Sequence, residues 1–147
     1  MKPMGSIEQC LQEQGFVVVP ISGTSMWPLL QEGKSRVQIV ARDKRQLRKG
    51  DIVLYRRCDG TFVLHRIVKV QKDSFLLCGD HQFRPLEQVQ EAQIMGVAQG
   101  FFRNGRYFDE KTWWYRLYKL FWNGNLAVRR CSLAILRLSG IEKRSLK

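Results

Sequence analysis

Histidine is scarce in this chain, and so is acid. Only two histidines stand among 147 residues, and 13 Asp and Glu face 25 Lys and Arg. The four cysteines, Cys10, Cys58, Cys78 and Cys131, are widely spaced and form no C-x-x-C pair. With only His65 and His81 to add, no four-ligand zinc pattern arises, and neither a metal site nor another cofactor is expected. A domain of this size does not demand disulfides, so the thiols are expected to be free and to face a reducing compartment. No stretch reaches the roughly 18 apolar residues needed to cross a bilayer. The early run Phe16-Val17-Val18-Val19 is too short for a signal peptide, and Glu8, Gln12 and Glu13 precede it. These absences predict a soluble or surface-bound protein, cytoplasmic or peripheral on the cytoplasmic membrane face.

What is present suffices for one core: 44% of the residues are hydrophobic. The net charge of +12 is unevenly placed. From Lys111 onward, nine Lys and Arg against the single acid Glu142 carry about two-thirds of it. Such asymmetry points to an anionic partner for the tail.

Hydropathy and turn signals predict a mainly β chain. A short helix is expected over residues 6–14, with Ile7, Cys10 and Leu11 on one face, stopped by Gly15. A buried strand at 16–19 should end at Pro20. Small residues then lead into Met26-Trp27-Pro28-Leu29-Leu30, where Pro28 suits the first turn of a short helix. Strands are predicted at 36–40, 52–55, 61–70, 75–78 and 93–102, with a basic loop at 44–49. Cys58-Asp59-Gly60 and Asn104-Gly105 mark hairpin turns. Gly96 and Gly100 suggest bulges. Many short strands predict a coiled antiparallel β-sandwich or partial barrel over 16–109, after the short helix at 1–15. Residues 110–147 are expected to form a basic, aromatic-rich helical tail, with helices near 113–122 and 126–138 broken by Asn123-Gly124-Asn125.

Two residues stand out chemically. Ser25 follows Gly23-Thr24 in a small-residue turn that can present its hydroxyl to a cleft and leave backbone N–H groups for an oxyanion. Taken alone, Ser22, Thr24 and Ser25 read equally as loop polars or caps. His65 interrupts an apolar strand on the face of Val63 and Ile67, while Phe62, Leu64, Arg66 and Val68 take the other face. A neutral imidazole there can accept a serine proton near neutral pH, although alone it also reads as a satisfied half-buried histidine. Asp80, after Gly79, can serve as the carboxylate partner of His65, and reads equally as a turn residue.

These pieces occur in an order that resembles type I signal peptidases. Gly23-Thr24-Ser25-Met26-Trp27-Pro28-Leu29-Leu30 is similar to the nucleophile box. Lys49-Gly50-Asp51-Ile52-Val53, Leu64-His65-Arg66-Ile67-Val68 and Leu76-Leu77-Cys78-Gly79-Asp80 resemble three further boxes. The resemblance covers about residues 16–100 and is to the Ser–His branch of the endoplasmic reticulum and archaea. That family is related to the self-cleaving repressors, which use a Ser–Lys site.

The resemblance implies a signal-peptidase-type fold and a serine endopeptidase with catalytic Ser25, His65 and Asp80. The Ser25 backbone N–H would serve the oxyanion. Gly23, Thr24, Met26, Pro28, Val63 and Leu64 would contact an extended peptide, a signal- or leader-type or small exported substrate cut at a small residue. Three departures stand out. The aspartate usual about six residues past the Gly-Asp pair is replaced at Leu86, with Glu87 following, so Asp80 is the expected third group and Glu87 the reserve; Gly23 offers no hydroxyl to the oxyanion; and His81-Gln82 stands where asparagines are usual. A non-catalytic peptide-binding or membrane-surface module on a protease-like fold is the alternative. In the tail, Trp113, Trp114, Leu117, Tyr118, Leu120, Phe121 and Trp122 interleave with Lys111, Arg116 and Lys119. That pattern suits either an anionic membrane surface met by residues 111–138 or packing on the β-domain. No nucleic-acid module is visible.

Overall fold

The computed structural model describes residues 6–42, 45–82, 86–124 and 126–141. The first five residues, Lys44 of the basic loop, Asn125 of the helix break and residues 142–147 of the tail lie outside the described residues. Helix α1 (Ile7–Gln14) begins where the Ser6 side chain accepts a hydrogen bond from the Gln9 N–H, and it ends at Gly15 with φ 77°. Leu11 is its buried residue.

Among the described residues eight strands follow: β1 (Phe16–Pro20), β2 (Ser35–Ala41), β3 (Ile52–Arg56), β4 (Phe62–Val70), β5 (Ser74–Cys78), β6 (Glu87–Gln90), β7 (Ile94–Arg103) and β8 (Arg106–Asp109). They form one unclosed antiparallel sheet in the order β1-β2-β7-β3-β4-β5-β6, with β8 paired to β7. The mainly β expectation therefore holds, with helices α2 (Trp113–Gly124) and α3 (Leu126–Leu138) after the sheet. Asn104 and Gly105 make the β7–β8 turn at φ 50° and 74°, the left-handed pair that a tight hairpin requires.

Register shifts fall at Gln38/Ile39, facing Gly100 and Ala98, and at Leu54/Tyr55, facing Gly96 and Ile94. The bulged residues of β7 are thus Gln99 and Met95, each next to a glycine, and such bulges increase local twist. Strand β3 is buried on both faces. Ile52 and Leu54 join one apolar cluster with Leu30, Ile39 and Phe101, while Val53 and Tyr55 join another with Ile67, Leu77 and Val97.

Three local expectations change. Strand β1 is not buried: it is an edge strand, and Phe16 and Val18 on its outer face are each 43% exposed. The segment after Ser25 is a run of turns through a cis Trp27–Pro28 bond, not a short helix. Residues 87–90, unassigned from sequence, form β6 on the edge of β5.

The two helices pack on the sheet. Tyr115 lies against Phe101 and Phe108, with ring centroids 5.2 and 5.7 Å away. Trp122 and Leu133 are buried together with Trp27. The break expected over Asn123-Gly124-Asn125 does not fall at its first two residues: Asn123 and Gly124 are still helical and belong to α2, and α3 begins at Leu126.

Candidate active site

The four sequence boxes are far apart along the chain, and a short set of bonds joins them. Arg66 is wholly buried and donates from Nη1 to the Gly50 carbonyl at 3.0 Å. Its Nε and Nη2 both donate to the Asp80 carboxylate at 2.7 Å. The Ile67 N–H bonds the Asp51 carbonyl, and the His81 N–H bonds the Ser25 carbonyl, each at 2.8 Å. Gly79 packs so closely on the Ser25 turn that a Cβ there would run into the Ser25 carbonyl oxygen. A glycine is needed at 79 for space, because the loop of the last box forms a wall against the Ser25 turn.

Ser25 and His65 line one cavity of about 410 Å³. Its walls include Ile21 and Ser22 after β1, Val63 and Leu64 of β4, and Met26 and Gln82. Of the expected substrate contacts, Met26, Val63 and Leu64 lie in this lining. Gly23, Thr24 and Pro28 do not: Gly23 and Thr24 are exposed, and the Pro28 carbonyl accepts from Arg103 at 2.6 Å.

Two edges meet at the cavity. Residues Phe62 to Arg66 pair with β3 on one side, whereas β5 pairs with β4 only from Arg66 to Val70. Among the described residues no strand covers the second side of residues 62–65. The sheet also ends at β1, whose continuation Ile21-Ser22 lines the same cavity. An extended peptide laid in this gap could bond to the uncovered backbone of β4.

His65 is only 6% exposed. Its Nδ1 lies 3.2 Å from the Tyr55 hydroxyl, which in turn donates to Glu87 Oε2 at 2.6 Å. Arg57 grips both oxygens of Glu87, Nε at 2.8 Å and Nη2 at 2.7 Å. Since the single phenolic proton points to Glu87, the Tyr55 oxygen is left to accept, and Nδ1 carries the imidazole proton. The Nε2 lone pair is thereby assigned as the acceptor.

The charges agree with this reading. Burial, then the Glu87 hydrogen bond, push the Tyr55 phenol up from its ordinary value, so it stays protonated. The Arg57 hydrogen bond holds the Glu87 carboxyl below its ordinary value. Burial lowers His65 to about 4, against a smaller raising effect from Glu87. His65 is therefore neutral throughout the neutral range.

Asp80 makes no hydrogen bond or ion pair to His65, although its charge adds a small raising effect on the imidazole. Successive side chains of a strand point to opposite faces, so Arg66 takes Asp80 to the side away from Tyr55. There Asp80 also accepts from the Tyr118 hydroxyl at 2.9 Å, and its backbone carbonyl accepts from Trp122 Nε1 at 2.9 Å. Buried Arg129 of α3 lies 4.0 Å from the carboxylate and bonds the Gly79 and Gln82 carbonyls at 3.1 Å. Asp80 thus holds the loop and the tail helices together, and Glu87 is linked to the imidazole through Tyr55.

The chain matches no protein-family model and no curated protein. Tyr55 was missed from sequence, where 52–55 reads only as core strand. The Cys58-Asp59-Gly60 turn could have found it: the hairpin register pairs Val53 with His65 and Tyr55 with Val63, which makes Tyr55 a diagonal neighbour of His65 on one face. Among the described residues no group of three or more His, Cys, Asp or Glu is arranged to hold a metal ion. None of the four cysteines is in a disulfide.

Proposed function

We propose that this protein is a serine endopeptidase with a signal-peptidase-type fold, acting on an extended peptide with small side chains before the cut. The observation that carries the reading is that Ser25 and His65 open into one cavity, with the imidazole held in the tautomer that accepts a proton at Nε2. The uncovered edge of β4 supports an extended substrate. The signal- or leader-type and small exported peptides implied by the sequence resemblance are the substrate class that fits it.

In the reaction, the Ser25 Oγ attacks the scissile carbonyl carbon while His65 Nε2 takes the hydroxyl proton. The oxyanion is received by the Ser25 backbone N–H. The imidazolium returns its proton to the leaving amine as the C–N bond breaks. Water then enters by the same base and releases the acid from the acyl-enzyme. The relay of Tyr55 and Glu87 opposes rotation of the ring and stabilises the charge it gains on Nδ1–H. Tyr55 is a positioning residue, not one that touches substrate.

A serine-directed fluorophosphonate tests the reading. It should add covalently at Ser25, seen by peptide mass, and Ser25→Ala should not be labelled. Labelling should lose rate on the acid side near pH 4, where His65 protonates, not near its ordinary 6.5. Stability has the matching sign. Between pH 6.5 and about 4 the unfolded chain takes up a proton that native His65 refuses, so stability falls as pH drops through that window. Absence of an adduct on Ser25 in folded protein at neutral pH overturns the assignment.

Tyr55→Phe gives a second check. Its ring fills the same space, so folding should hold. The acceptor for Nδ1 is lost, and kcat should fall about 10-fold or more with KM little changed. Nitrogen NMR should show His65 moving from a single tautomer to a mixture. An unchanged spectrum would remove Tyr55 from this role.

A further inference from the structure

The side of the tail helices turned away from the sheet presents large apolar groups to solvent. On α2, Trp113, Leu117, Leu120 and Phe121 recur at spacings of four, three and one, the pattern of a single helix face. Trp113 is 73% exposed, Leu120 69% and Phe121 63%. The opposite face carries Tyr115, Tyr118 and Trp122, which pack inward. Helix α3 repeats the arrangement: Arg129 and Leu133 are buried, while Val128, Ile135 and Leu138 are exposed, Leu138 at 89%.

Charge accompanies this surface. Lys111 and Arg116 are exposed beside Trp113 and Leu117. The β7–β8 hairpin adds Arg106 and Tyr107, which border a cavity with Arg103 and Trp114. The Phe108 and Trp114 rings, with centroids 4.6 Å apart, join the hairpin to α2. Between Arg106 and Ile141 the only acids are Asp109 and Glu110. Asp109 accepts from the Lys111 N–H, and Glu110 pairs with Lys119. No described helix is long and apolar enough to cross a membrane.

We propose that this face docks on the surface of an anionic phospholipid bilayer, with α2 and α3 lying flat among the headgroups. Outward aromatic and aliphatic groups enter the acyl boundary, and the surrounding arginines and lysines meet the lipid phosphates. An excess of base over acid distinguishes a lipid surface from a neutral protein groove, and the shortness of the helices excludes insertion across the bilayer. The fastening of Arg129, Tyr118 and Trp122 to the Asp80 loop fixes the cleft relative to the docked helices. Docking would therefore present the Ser25 cavity to the membrane in one orientation. The proposal stands whether or not the cleft hydrolyses peptides.

The test is co-sedimentation of the full chain with phosphatidylcholine vesicles, with and without phosphatidylglycerol, at low and high salt. Binding should require phosphatidylglycerol and weaken with salt. The double variant Leu117→Glu/Phe121→Glu changes only outward groups and should keep its circular dichroism and melting temperature. Its partitioning should fall by about tenfold or more. No binding to phosphatidylglycerol vesicles, or equal binding by the folded variant, overturns the proposal. A concentration-dependent dimer abolished by the same substitutions, with no vesicle binding, assigns the face to a second copy of the chain instead.

Discussion

Replacing His65 by alanine should lower peptide-cleavage kcat by about 10²–10⁴-fold, the usual worth of a positioned general base. Ser25→Ala should bring turnover to background, and the double variant should be no worse than Ser25→Ala, because the two groups act in one step. Neither change should unfold the protein. Ser25 sits in a half-exposed turn. The Tyr55 phenol keeps its bond to Glu87 when the imidazole is removed, so His65→Ala leaves no orphaned buried donor, only a cavity. The measurements are single-turnover cleavage of a leader-type peptide and thermal melting on the same samples. Cleavage that persists in folded Ser25→Ala sinks the mechanism. Cleavage that survives in His65→Ala but not in Ser25→Ala would place the base elsewhere.

The mainly β class and most of the strands were legible in the sequence, and what was not has a physical cause. Ser25 and His65, which line one cavity, stand out in the sequence as candidates because each breaks its local pattern: one is a hydroxyl in a small-residue turn, the other a lone imidazole on an apolar strand. Turn residues likewise placed most strands, since Asp-Gly and Asn-Gly turns specify hairpins through local backbone strain. Burial of β1 failed because edge position depends on strand order, which hydropathy does not encode. A carboxylate near a Ser–His pair makes Asp80 a chemically attractive partner for the histidine. The competing cation, Arg66, stood one residue from His65 among Phe62, Leu64 and Val68. A charged residue on an otherwise apolar face demands a buried counter-charge, and that demand outranks the catalytic one here. Glu87 could not be tied to the imidazole until β6 placed it beside Tyr55.

Asp80→Asn and Glu87→Gln should therefore separate into two different losses. Asp80 and its partners Arg66 and Arg129 are all 0% exposed. Removing the carboxylate charge leaves two guanidinium groups in the interior without an anion. Breaking a buried pair in this way costs about 3–5 kcal/mol, which in a chain of this size lowers Tm by roughly 6–20 °C. The fastening of α2 and α3 to the loop should loosen with it, read as faster amide exchange at Tyr118 and Trp122. Glu87 is different. Its partner Arg57 is 42% exposed, and an ion pair open to water contributes about 0–1 kcal/mol. Glu87→Gln should melt within a few degrees of the parent (about 1 kcal/mol or less) yet lose kcat by about 10- to 100-fold, less than the ~10⁴ of a carboxylate bonded directly to its histidine. The reverse pattern, with Asp80→Asn stable but inactive and Glu87→Gln fully active, would return the third catalytic place to Asp80 and reduce the Tyr55 contact to packing.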